Sequence, residues 1–152
     1  MTPMSDDTRQ NDREERREET RTAYDFAILR VVPHVHLGTF VPVGVMVHAR
    51  TAGYLAMRVV TDPAELRARV PGVRDAELLA RYLRACEAVC AGDAEAGGAV
   101  ALAPTSERFH WLTAPRSDVI QSSPVHEGLC DEPAKALEEL YEAYVGTVRS
   151  AG

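Results

Sequence analysis

The segment from Tyr24 to Val32, YDFAILRVV, is apolar along both sides of an extended chain. Side chains alternate across a strand. Tyr24, Phe26, Ile28 and Val32 therefore share one face, and Ala27, Leu29 and Val31 share the other. A half-solvated strand would alternate apolar with polar residues, so this one is expected at the centre of a sheet with both faces covered. Pro33 ends it, because proline has no N–H to give to a ladder.

The rest of the chain reads outward from that strand. Val41 to Ala49 is a second strand, and Gly44 in its middle signals a bulge or a close approach. Residues 50–53 form a hairpin turn, and Tyr54 to Val60 return as a third strand. Asp62-Pro63-Ala64-Glu65 carries a helix start: Asp62 as N-cap, Pro63 as first helical residue, Glu65 completing a capping box. Pro71-Gly72 stops that helix. Asp75 opens the longest one, whose stripe is Leu78, Leu79, Tyr82, Leu83, Cys86, Val89 and Cys90, and Gly92 closes it. A Gly/Ala-rich linker follows, with a short strand expected at Val100 to Ala103.

Phe109 to Ala114 and Val119 to Ser123 read as the two arms of a hairpin, turning at Pro115-Arg116-Ser117-Asp118. A last helix is expected from Pro133 to about Val148, capped by Glu132 or Asp131, with Leu137, Leu140, Tyr141, Tyr144, Val145 and Val148 as its stripe. The order of elements predicts one α+β domain over 23–149: an antiparallel sheet with helices packed mainly on one face. Residues 1–22, rich in Arg, Asp and Glu without apolar periodicity, predict a charged tail that is disordered or weakly helical.

Length and charge exclude some functions. A chain of 152 residues fits one domain. No apolar run approaches the roughly 20 residues of a membrane span, and no secretory leader is apparent, so a cytoplasmic protein without a membrane partner is expected. The net charge of −6 argues against nucleic acid. Cys86, Cys90 and Cys130 form no disulfide framework. His34, His36, His48, His110 and His126 show no metal-ligand spacing of the usual kind, and no metal or cofactor is expected.

The stretch from Pro104 to Pro133 concentrates what chemistry the chain offers. It holds the only Trp and mixes charged, aromatic and hydroxyl residues among apolar ones. Polar groups near a core need partners, in the protein or on a ligand. Arg108, His110, Trp111, Arg116, Gln121, Ser122, Ser123 and His126 are the candidate binding residues; none is assigned as catalytic. In the expected hairpin Ala114 pairs with Val119, Leu112 faces Gln121, Trp111 faces Ser122, and His110 faces Ser123. A His–Ser pair begins a nucleophile constellation, yet no nucleophile elbow accompanies it, and a plain cross-strand hydrogen bond is the simpler account. The arginines and hydroxyls suit an anionic small molecule, or the arginines pair structurally with Glu107, Asp118 or Glu127.

Two stretches, YDFAILRVVPHV…FVPVGVMVHAR (24–50) and SERFHWLTAPRSDVIQSSPVHEGLCDEP (106–133), resemble a bacterial family known as domain of unknown function family 3037. The chain departs from its pattern near Thr39, usually acidic, and near Pro42, usually Asn, so no family role is carried to those side chains. Genes of this family often stand beside a HipA-like protein kinase. The resemblance thus implies such a kinase as protein partner; with no catalytic motif and a mixed-charge tail suited to docking, a non-catalytic adaptor or regulatory subunit is expected. A small enzyme or sensor that binds an anion through residues 106–126 is the alternative.

Overall fold

The apolar central strand forms as expected. The computed structural model describes residues 6–33 and 39–146. Strand β1 (Thr22–Val31) lies inside an antiparallel sheet, next to β2 (Val41–Ala49), which in turn pairs with β3 (Tyr54–Val59). On its other side β1 pairs with two short strands laid end to end, β4 (Ile120–Ser122) and β5 (His126–Cys130). Ala27, Val31, Val43, Val45, Met46 and Val47 are fully buried, which identifies β1 and β2 as the middle of the core.

Helices cover both faces. Alternation in β1 and β2 puts Phe26, Ile28 and Val45 on one side, where helix α6 (Pro133–Tyr144) packs: Tyr144 meets the Phe26 ring, and Arg58 of β3 lies over the Tyr141 ring. Leu29, Met46 and His48 face the opposite side. There helix α5 (Thr105–Thr113) brings Phe109 against His48, and α3 (Ala76–Ala91) packs beside α5 and over β3. Helix α2 (Pro63–Arg69) leans on α3, and Arg69 reaches the carbonyls of Val145 and Gly146 just past α6. The small α4 (Ala94–Gly97) and a 3-10 turn over Ala99–Leu102 link α3 to α5. The fold is one α+β domain, with α6 on one face of the sheet and α3 and α5 on the other.

Local sequence explains most of these elements. Asp62 accepts from the Glu65 amide and Asp75 from the Leu78 amide, as expected of N-caps. The Glu65 carboxylate does not complete the capping box; it binds Arg69 one turn on. Val43 is an extra residue opposite β1, since Leu29 pairs with Gly44 and Arg30 with Pro42. A Cβ on Gly44 would stand 2.9 Å from Val59 Cγ2, so the glycine serves a close approach as well as the bulge.

Several expectations need correction. The 3-10 turn occupies Ala99–Leu102, where a strand was expected. Leu78 is not part of the buried stripe of α3, being 56% exposed. His126–Cys130, not foreseen as a strand, pairs along Thr22–Phe26. The charged N-terminal segment forms helix α1 (Asp6–Thr20). Helix α6 ends at Tyr144, with Val145 as its C-cap and Gly146 at φ +59°, short of the Val148 expected; the expected connection through His34 and His36 falls outside the described residues. No helix among the described residues is long and apolar enough to cross a membrane.

Candidate functional site

Residues 105–113 are helical, which overturns the expected hairpin. The strand reading rested on the alternation of Phe109 and Trp111. The helix instead buries Phe109 with Leu112, three residues on, a helical spacing. Prolines bracket it: Pro104 stands at the N-cap, and Pro115 holds Ala114 in the extended conformation that residues before proline prefer. Glu107 in the first turn suits the positive end of the helix dipole. Those were the signals available in the sequence.

The change of element disperses the eight candidates. Arg108 points away from solvent chemistry and closes the end of α3: Nε donates to the Ala103 carbonyl at 2.9 Å, and Nη1 to those of Cys90 at 2.8 Å and Val89 at 3.2 Å. Helix α3 has no basic residue in its own last turn, so Arg108 supplies the cation that a helix C-terminus favours. Gly92, with φ +77°, makes room; a Cβ there would lie 3.3 Å from Arg108 Nη1. This arginine pairs with backbone rather than with the acidic residues expected for it.

His110 is exposed on α5 and does not meet Ser123. Ser123 is buried; its hydroxyl accepts from the Ile28 amide at 2.8 Å and donates to the Pro124 carbonyl. The expected pair of His110 and Ser123 does not form. His126 is exposed at the start of β5 with its ring against Phe26. Trp111 and Arg116 do meet: the guanidinium stacks 3.5 Å from the indole centroid and also donates to the Trp111 carbonyl. Arg116, Gln121 and Ser122, with Thr113, Ser117 and Asp118, line an open cavity of about 560 Å³. Three of the expected residues therefore share one depression, with Trp111 supporting it from behind Arg116.

A second cavity, of about 810 Å³, lies at the other end of β1. Its wall contains a row across the sheet in which Glu127 pairs with Asp25 and Asp25 with His48. His48 is 5% exposed, and its Nε2 has no hydrogen-bond partner among the described residues. Burial holds its pKa below the ordinary value; Asp25 opposes this and Arg50 adds to it. The sequence reading missed this row. Its signal was a lone Asp inside YDFAILRVV and a lone His inside VPVGVMVHA, polar interruptions in otherwise apolar strands.

A third depression, of about 530 Å³, runs between the start of α3 and β4. Val31, Val73, Leu79, Tyr82, Val119 and Ile120 line it, and Leu78 and Val119 stand 56% and 47% exposed at its mouth. No group of three or more His, Cys, Asp or Glu among the described residues could hold a metal ion.

With these sites in view, comparison with known proteins gives one result. The family model described as a protein of unknown function, DUF3037, matches residues 26–145. The chain belongs to the DUF3037 family. The match runs from within β1 to just past α6 and takes in the first and third depressions; Arg21, Ala23, Tyr24 and Asp25 of the second lie before it. No curated protein and no solved structure matches the chain.

Proposed function

We propose that this DUF3037 protein is a non-catalytic adaptor whose groove between α3 and β4 takes an apolar segment of a protein partner, a HipA-like kinase being the partner the family resemblance implies. The observation that carries this reading is the groove itself. Leu78 and Val119 expose apolar surface at a concave, largely apolar site, and exposed apolar patches rimmed by polar groups mark interaction sites. The rim is polar, with Arg74, Asp75 and Ser117. Beside it, β4 pairs only with β1 among the described strands. The test is capture of the HipA-like kinase by tagged protein, with a Leu78→Asp/Val119→Asp variant alongside. Stoichiometric capture lost in the still-folded variant supports the reading. Failure of wild type to hold the kinase, or equal capture by the variant, overturns it.

The alternative, a sensor for an anionic small molecule, is favoured by one observation: Arg116, fixed on Trp111, faces a cavity that also offers Ser117, Gln121 and Ser122. Planar guanidinium and nearby hydroxyls suit phosphate or carboxylate. Saturable binding of inorganic phosphate that Arg116→Ala removes would favour this reading over the adaptor.

A further inference from the structure

The row formed by Glu127, Asp25 and His48 is unusual for the interior edge of a sheet. Directly opposed residues in antiparallel strands lie about 5 Å apart at Cβ, and like charges so placed repel. Asp25 and Glu127 are opposed in this way, and neither has an ion pair among the described residues. His48 completes the row, its buried Nε2 without a hydrogen-bond partner among the described residues. The imidazole also lines the cavity. Two arginines stand at the rim of the same cavity: Arg50, exposed in the β2–β3 turn, and Arg21, 4.0 Å from Asp131.

The four charged groups sum to zero, with the two signs on different elements. A simple cation would meet the arginines, and a simple anion the carboxylates. We propose that the cavity binds a small zwitterion of the amino-acid type: its ammonium between Asp25 and Glu127, its carboxylate on Arg50, and its carbon chain against the wall that His48 helps to form. The size fits, since cavities of roughly 300–1,000 Å³ hold small molecules, and Ala23 and Leu129 supply apolar wall for a short carbon chain. This site lies apart from the groove assigned to the protein partner and stands or falls independently of it.

The test is titration of the full chain with glycine, 4-aminobutyrate and L-lysine, following the imidazole signals of His48 by NMR, with butylamine and butyrate as single-charge controls. The expected result is saturable movement of the His48 signals by at least one zwitterion, with binding about tenfold or more tighter than either control. Asp25→Asn, Glu127→Gln and Arg50→Ala should each weaken that binding by about tenfold while the melting temperature stays within a few degrees. The proposal is overturned if no zwitterion moves His48, if a single-charge control binds as tightly, or if the folded variants bind as wild type does.

Discussion

Ser123 holds Ile28 from both of its hydrogen-bonding groups: its amide donates to the Ile28 carbonyl at 2.8 Å, and its hydroxyl accepts from the Ile28 amide at 2.8 Å. The site is the gap between β4 and β5, where Pro124 has no N–H and the ladder along β1 would otherwise lapse. The side chain takes the place of a missing backbone carbonyl. Ser123→Ala should therefore leave the buried Ile28 amide unpaired and cost about 1–3 kcal/mol. Chemical denaturation checks this, and a loss well under half a kcal/mol would contradict it.

Arg108 should behave as a structural residue. Its contacts to three carbonyls tie α5 to the end of α3, and hydrogen bonds from a charged group are among the stronger ones. Arg108→Ala is expected to cost about 2 kcal/mol, or a drop of roughly 4–8 °C in Tm for a chain of this size. Arg116→Ala, removing an exposed side chain stacked on Trp111, should shift Tm far less. Thermal melts of the two variants side by side decide the matter.

Thiol chemistry should separate the three cysteines. Cys86 and Cys90 are each 3% exposed inside α3, and burial pushes both thiols up, that of Cys90 to about 12. Cys130 is half-buried at the end of β5, its thiol raised by burial and by Asp131. Since the thiolate is the reactive form, iodoacetamide at pH 8 should label Cys130 alone, and slowly. All three should label in guanidinium. Peptide mass spectrometry reads the outcome, and fast labelling of Cys90 in the native protein would refute the expectation.

His48 should make stability fall on mild acidification. Its folded pKa lies below the ordinary 6.5, so below that pH the unfolded chain takes up a proton that the native state resists. The unfolded state then binds more protons, and stability rises with pH. The contribution is complete above about pH 6.5 and is lost as pH falls toward the folded pKa. Asp25 lessens the effect and Arg50 enlarges it. Denaturation curves between pH 7 and 5 should be flatter for His48→Gln than for wild type.

The sheet was far more legible than the site. Strands β1 to β3 and helices α2 and α3 follow from local signals: two-faced apolar runs, Asp caps, Pro at a helix start, Gly at an end. The site segment failed because FHWLTA satisfies both periods. Phe109 and Trp111 alternate like a strand, whereas Phe109 and Leu112 are spaced as on a helix, and tertiary packing against His48 and α3 decides between them. Strand β5 was hidden for another reason. HEGLC is weakly apolar, and it becomes a strand because Thr22–Phe26 of β1 offers it a ladder. Arg108 looked like a ligand residue, since nothing local reveals that α3 lacks a cation at its end. The Asp25–His48 row could be seen only once the register between β1 and β2 was known.

The division of one sheet border into β4 and β5 bears on how copies of the protein meet one another. An uninterrupted strand there would offer a second molecule a long row of amides on which to zip. Three residues, a proline break and five more residues offer two short tracts instead, and short edges are poor templates. Crowded copies of this chain are thus hindered by the path of the backbone itself from fusing their sheets along this border.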